Sequence, residues 1–327
     1  MIPSLSLTGN EGMGMDERII AVVGPTATGK TALAVELAIR LDAEIISCDS
    51  VQVYRGLDIG SAKVTREEMR GVPHHLIDVA SPHSDFSCAD YAAAAKAAIE
   101  DIRSRGKRVI FCGGTGLYLD SVIGISGFSE AGKDELFRAE MEKKSPDELH
   151  ALLTGVDPVT AAAVHKNNVK RVIRALEIFH VTGKPKSVWD EESKAIKPPY
   201  ETVIIGLDYS DRAALYERID RRVDVMLKDG LCDEVRALDC PEFRSSTASS
   251  AIGYKELLAC FDGEISLAGA IEAIKQASRN YAKRQLTWFR RNEKVNWILV
   301  DTLEGEDKFK LIVNSAINII NNSENML

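Results

Sequence analysis

Eight consecutive residues, Gly24-Pro25-Thr26-Ala27-Thr28-Gly29-Lys30-Thr31, carry the plainest chemistry in this 327-residue chain. They fit the spacing G-x-x-x-x-G-K-[ST], follow an apolar run and open a helical pattern. Glycines let the backbone curl until successive N–H groups point into one hollow. A helix N-terminus adds partial positive charge. Lys30 supplies a full charge, and Thr31 can set a hydroxyl on Mg²⁺. Such a loop binds a di- or triphosphate, and the pattern leaves open whether that phosphate is hydrolysed.

What is missing narrows the choice. A phosphate-loop ATPase usually holds its Mg²⁺ with an acid at the end of a second apolar strand. Here the strongest such run, Val109-Ile110-Phe111-Cys112, leads into Gly113-Gly114-Thr115-Gly116 without an acid. The N-K-x-D tetrad and D-x-x-G switch of a GTPase are absent too. An acid does close another apolar run, in Asp49-Ser50-Val51-Gln52. In an open α/β sheet the C-terminal strand ends form the active crevice, so Asp49 is expected to face the phosphate loop. There it is a general base, a metal ligand, or only the first residue of a turn. Gln52 has an amide that can pair with a base edge.

These residues need a scaffold. Five short runs read as buried strands: Ile19–Val23, Glu44–Cys48, Arg108–Cys112, Val203–Leu207 and Asn296–Val300. They are continuous rather than alternating, as in a parallel sheet covered on both faces. Helical patterns separate them. Thr31–Leu41 follows the first strand, and the alanine-rich Asp90–Arg105 starts at the capping pair Ser87 and Asp90 and stops at Gly106. The fold class is α/β, a P-loop NTPase-like parallel sheet flanked by helices. Two linker-like stretches, Ser126–Lys133 and Lys194–Tyr200, bracket a helical segment with no convincing strand. The expected organisation is therefore a tail over 1–17, a core over 18–127 and 200–305, a small all-helical insertion domain over 128–199, and a second tail over 306–327. A helix capped by Ser210 carries Leu215, Ile219, Val223 and Met226 on one stripe, and Arg218 and Arg222, four apart, on another face. A long helix runs from about Ser266 to Arg291.

Charge and composition exclude several classes. The chain holds 41 basic and 49 acidic residues, a formal net charge of −8, which argues against a protein coated with nucleic acid through bulk charge. Yet Gln276–Lys294 contains six basic residues and one acid. A local basic stripe on an acidic protein is what phosphate-backbone binding calls for, although a solvated helix face has the same look. Arg279, Lys283 and Arg290 share roughly one face of it. The six cysteines form no C-x-x-C pair, which makes structural zinc or a disulfide framework unexpected and a reducing cytoplasm the default. No stretch reaches the ~18 apolar residues of a membrane span, and the N-terminus has no secretory pattern. His74-His75 lies beside Pro73 without metal-ligand spacing and reads as a structural loop.

Seven motifs occur in order: GPTATGKT, DSVQVYRGLDIGSAK (Asp49–Lys63), GVPHHLIDV (Gly71–Val79), GGTGLY (Gly113–Tyr118), KRVIRALEI (Lys170–Ile178), SAIGYKEL (Ser250–Leu257) and AKRQLTWFRR (Ala282–Arg291). Together they closely resemble the bacterial tRNA dimethylallyltransferases, also called tRNA isopentenyltransferases, over roughly residues 18–300. The resemblance implies transfer of a dimethylallyl group from its diphosphate to N6 of the adenosine 3′ of the anticodon. It implies that the phosphate loop, Gly24 to Thr31, cradles the diphosphate leaving group with Mg²⁺ against it, held by Thr31. It makes Asp49 the base, Arg218 a second cation on the diphosphate, and Thr115 a contact to the tRNA near the reacting base. Contacts to the tRNA are further implied for Asp49, Ser50, Val51, Gln52, Arg138, Lys170, Arg171, Arg174, Lys255, Lys283, Arg284, Gln285 and Arg290. Thr28 stands where the family often has Ser, and Lys170 where an amide or acid often precedes the Arg. The implied partners are tRNA and dimethylallyl diphosphate, with no membrane and a monomeric state.

Two rival readings use the same loop. An adenylate isopentenyltransferase shares the donor chemistry but acts on free adenine nucleotide; AKRQLTWFRR and the helical insertion favour tRNA. A small-molecule kinase would bind ATP in the loop and use Asp49 to activate a hydroxyl.

Overall fold

In the computed structural model, described over residues 18–124, 132–194, 198–303, 305 and 307–324, the apolar runs form one parallel six-stranded sheet. Its strands are β1 (Ile19–Val23), β2 (Ala43–Cys48), β3 (His74–His75), β4 (Arg108–Gly113), β5 (Thr202–Asp208) and β6 (Val295–Leu299), in the spatial order β3-β2-β4-β1-β5-β6. β1 and β2 are buried at every position, as continuous apolar runs in a two-face-covered sheet must be. Central β1 pairs with β4 on one side and β5 on the other, so its end is surrounded by strand ends. Five strands match the apolar runs within a residue or two. The sixth, β3, replaces the loop expected at His74-His75. It is too short for a hydrophobic signature, and polar pairing secures it: His75 Nε2 sits 2.7 Å from Glu44 Oε2, and Arg105 bonds both oxygens of Glu44.

One face of the sheet is covered by the helix Lys30–Leu41, which buries Leu33, Ala34, Val35, Leu37 and Ala38. The segment expected to be a C-terminal tail is instead the helix Lys308–Glu324. Its Ile312, Val313, Ala316 and Ile320 join the same buried cluster as the Lys30–Leu41 helix and β1. Each fully buried aliphatic side chain there contributes about 1.5–3 kcal/mol, enough to hold a helix whose sequence carries few other signals. The 1–17 tail lies outside the described residues, as do 125–131 and 195–197, which overlap the two linker-like stretches.

The chain divides into two compact units. One comprises Met1–Asp85, Ala94–Gly114 and Glu201–Leu327 and contains the sheet; the other comprises Phe86–Ala93 and Thr115–Tyr200. The second unit opens at Thr115, ahead of the boundary near 128 that linker composition suggests. Tyr91 and Tyr118 stack in it with ring centroids 4.0 Å apart, which ties its two chain segments together. Among its described residues every regular element is a helix, and it has its own core of Met141, Leu149, Leu153, Val172, Ile173 and Leu176. Glu177 is fully buried beside that core. Burial opposes its ionisation, but bonds from Arg138 and Arg174 outweigh this and hold its carboxyl at about 2.

Candidate active site

The phosphate loop turns out of β1 at Gly24, whose φ of 136° suits glycine. A Cβ there would lie 2.3 Å from the Leu207 carbonyl oxygen on β5, so the strand end passes its neighbour only without a side chain. Ala27 and Gly29 also take positive φ, at 66° and 88°, and Lys30 starts the helix. Thr28 Oγ1 donates to the Pro25 carbonyl at 2.9 Å and stiffens the curl. Lys30 Nζ donates to the same carbonyl at 2.5 Å. Burial lowers the Lys30 pKa to about 8, with Arg222 adding to the effect while Cys112 and Asp49 oppose it. Burial likewise pushes the Cys112 thiol up to about 11, and a Thr31 hydrogen bond partly offsets this.

Asp49 follows β2 and opens a tight turn. Its Oδ1 accepts the Val51 N–H at 2.8 Å and the Gln52 N–H at 3.3 Å. This Asx geometry fixes the carboxylate while engaging only one oxygen in those bonds. Its charge acts on Lys30, Cys112 and Arg222, and it follows Cys48, which pairs with Gly113 at the end of β4. Gln52 does not project freely. Its Oε1 accepts from Ser47 Oγ at 3.0 Å, and its Nε2 donates to the Ser61 and Ala62 carbonyls at 3.4 and 3.3 Å. Ser50 and Val51 are half-buried in the same turn.

Two arginines of the helix Arg212–Lys228 reach the loop. Arg218, exposed, donates from Nε to the Ala27 carbonyl at 3.1 Å. Arg222, more deeply set, donates to Thr26 Oγ1 at 3.0 Å; burial lowers its pKa, with the Asp49 charge opposing this. Sequence reasoning singled out Arg218 alone. The four-residue spacing was the available signal for Arg222, since one helix turn brings both to one surface.

Gln285 lies in the basic stripe but is buried, at 5% exposure. Its Oε1 accepts the Thr26 N–H at 3.0 Å, and its Nε2 donates to the Gly114 carbonyl at 3.0 Å. It thus joins the loop after β1 to the glycines after β4. A Cβ on Gly114 would come within 1.9 Å of that amide nitrogen, which accounts for a glycine at this strand end.

The remaining stripe is uneven. On the helix Leu267–Phe289, Lys283 and Arg284 are exposed, lying 5.6 Å from the Tyr216 and Tyr281 ring centroids respectively. Arg279 is paired with Asp220 at 2.6 Å, and Arg290 with Asp208 at 2.8 Å. Lys255 is exposed, 3.5 Å from Glu256. In the second unit, Thr115 occupies the N-cap of the helix Gly116–Ile123. Lys170 and Arg171 are exposed there, whereas Arg138 and Arg174 are engaged by Glu177.

A sequence model described as IPP transferase matches residues 52–292, well over half of the chain. This chain belongs to the IPP transferase family. It is 50% identical over 283 residues to the tRNA dimethylallyltransferase of Bacillus subtilis (strain 168), covering 85% of this chain and 90% of that protein. It is 50% identical to the enzyme of the same name from Anoxybacillus flavithermus, covering 86% and 90%. Among solved structures, it resembles the full-length tRNA isopentenylpyrophosphate transferase of Bacillus halodurans at 44% identity and a TM-score of 0.70, covering 95% of this chain and 99% of that one. It also resembles a eukaryotic dimethylallyltransferase acting on tRNA at 29% identity and a TM-score of 0.79, covering 94% and 80%. The P-loop NTPase-like sheet is therefore the scaffold of an IPP transferase family enzyme, a transferase.

Proposed function

We propose that this IPP transferase family member moves a dimethylallyl group from dimethylallyl diphosphate to N6 of the adenosine 3′ of the anticodon in tRNA. The observation that carries the reading is the meeting of Asp49, Lys30 and Arg222 at the phosphate loop, one anion beside two half-buried cations. The names of the relatives agree with it.

In the reaction, the C1–O bond of the donor breaks as the bond from adenosine N6 to C1 forms. The N6 proton passes to Asp49 and diphosphate leaves. An exocyclic amine delocalised into its ring is a poor nucleophile, and a carboxylate within hydrogen-bond reach contributes ~100- to 10,000-fold. Charge accumulates on the diphosphate as its bond breaks. Lys30, the loop amides from Ala27 to Thr31, Arg218 and Arg222 therefore stabilise the transition state more than the ground state. Thr31 presents an exposed hydroxyl at the first turn of its helix, a donor suited to Mg²⁺. Thr31 would hold a Mg²⁺ there, and the ion would supply positive charge to offset the charge of the leaving diphosphate.

The target base leaves its stack at a cost of a few kcal/mol, less in an anticodon loop that is partly single-stranded. Lys283, Arg284, Lys255, Lys170 and Arg171 are exposed cations suited to tRNA phosphates. Thr115, Ser50, Val51 and Arg290 are offered to the same partner. Arg138 and Arg174 reach it as a pair steadied by Glu177, and Gln285 and Gln52 serve it by shaping the loop and the Asp49 turn. Among the described residues no helix is long and apolar enough to cross a membrane. We propose that the enzyme works in the cytoplasm as a monomer.

Incubation with labelled dimethylallyl diphosphate, bulk tRNA and, separately, AMP tests the reading by nucleoside analysis. Label in N6-dimethylallyladenosine from tRNA is expected, and Asp49→Asn should cut turnover at least ~100-fold with tRNA affinity within a few-fold. Label only in AMP, or ATP consumption without the prenyl donor, would overturn it.

A further inference from the structure

Gln52 spends its side chain on the protein itself, bonding Ser47 on one side and the Ser61 and Ala62 carbonyls on the other. The segment that supplies those carbonyls is gripped from behind. Glu234, in the first turn of the helix Leu231–Leu238, accepts the Asp58 N–H at 3.0 Å and the Ile59 N–H at 2.7 Å on Oε2. Its Oε1 accepts the Gly60 N–H at 3.0 Å and the Tyr254 hydroxyl at 2.6 Å. Three successive backbone amides around one carboxylate form a closed nest, filled by the protein's own anion. Tyr254 is fully buried, and a Cβ on Gly60 would lie 2.5 Å from its ring, so the segment lies directly on that ring.

We propose that Glu234 is a positioning residue of the prenyl-transfer site, an inference that rests on the reaction proposed above. Its grip on Asp58, Ile59 and Gly60 sets the Ser61 and Ala62 carbonyls. These orient Gln52, and the Gln52 and Val51 amides fix the Asp49 carboxylate. Neither Glu234 nor Tyr254 approaches the reaction through chemistry of its own. Their effect travels through hydrogen bonds joined by short stretches of covalent backbone. A misplacement of the order of 1 Å at a reacting group costs ~100-fold in rate. Glu234→Gln places an N–H₂ where at least one backbone N–H now finds an acceptor. Tyr254→Phe removes one bond of the four.

The test is a double-mutant cycle on kcat for tRNA prenylation, with melting temperatures confirming that each variant is folded at the assay temperature. Glu234→Gln is expected to lower kcat ~10- to 100-fold with the KM for dimethylallyl diphosphate within about threefold, because the phosphate loop is untouched. Gln52→Ala should lower kcat comparably. The double variant should fall within about threefold of the worse single one, because both break the same chain. If Glu234→Gln does not fold, Tyr254→Phe decides the matter, with an expected severalfold loss in kcat at unchanged donor KM. An active wild-type enzyme whose Glu234 or Gln52 variant keeps full kcat overturns the inference. So does a double variant whose loss is the product of the single losses, and so does a Tyr254→Phe enzyme at full kcat where that variant decides. A wild-type protein that prenylates no tRNA overturns the reaction itself, and this inference falls with it.

Discussion

The amide of Gln285 accepts the Thr26 N–H at 3.0 Å, so the helix that carries the basic stripe also fixes the lip of the phosphate loop. The same side chain donates to Gly114 in a bond hidden from water. The exposed basic face of this helix and its loop-facing side are thereby one mechanical piece.

That coupling has a measurable cost when broken. Gln285→Leu leaves the Thr26 N–H and the Gly114 carbonyl without their partner, which should destabilise the fold by about 1–3 kcal/mol in urea unfolding. It should raise the KM for dimethylallyl diphosphate more than the Kd for tRNA. A larger effect on tRNA would return Gln285 to the role of a direct RNA contact.

Lys30 titrates near the working pH. Burial brings its pKa to about 8 in the free site, below the usual 10.5, so a growing share is neutral as pH rises through 8. Donor diphosphate favours the charged form, so binding at pH 8 should take up a fraction of a proton, and binding at pH 6.5 almost none from this group. Calorimetry in two buffers of different ionisation enthalpy measures this uptake. Lys30→Arg stays charged throughout and should lose it; equal uptake by both proteins would assign the proton elsewhere.

Glu177 makes the helical unit sensitive to acid. Its carboxyl titrates at about 2 when folded, against an ordinary 4.5. A depressed carboxylate pKa stabilises the fold above the ordinary value, and that contribution fades as pH falls from about 4.5 towards 2. Glu177→Gln should lower stability by about 2–3 kcal/mol at pH 7, less than a wholly buried pair because Arg138 and Arg174 are partly exposed. The variant should also lose less than the wild type between pH 5 and pH 3 in thermal melts. An unchanged pH dependence would mean that other carboxylates govern acid sensitivity.

The basic stripe should divide by partner. Lys283→Ala or Arg284→Ala should each reduce the slope of log affinity for tRNA against log salt by about 0.7–0.9, the value for one phosphate contact. Arg279 is already neutralised by Asp220, so Arg279→Ala should leave the slope nearly unchanged and lower the melting temperature instead. Equal slopes for all three variants would mean that the ion pair opens when tRNA binds.

Much of the site is legible in order along the chain. The phosphate loop is read from Gly24 to Thr31 because backbone curvature and charge there depend on neighbours in sequence. Asp49 is read from its place at a strand end, because parallel-sheet geometry gathers such ends on one edge. The strands themselves are legible because a sheet covered on both faces demands uninterrupted apolar runs. His74-His75 falls outside that rule, since an edge strand two residues long is held by Glu44 and its polar partners instead.

Sequence by itself therefore determined the fold class and the family, and it located the glycine-rich loop and the acid at the end of β2. Tertiary structure alone decided which similar side chains share a task. Arg279 and Lys283 look alike in sequence, yet one is spent on Asp220 while the other faces solvent. Gln285 reads as part of an RNA-facing stripe until packing buries it against Thr26 and Gly114. Glu234 carries no motif, and its partners lie about 175 residues away in the chain. Local pattern encodes backbone curvature and periodic burial; the partner of a long polar side chain is set by which distant elements fold beside it.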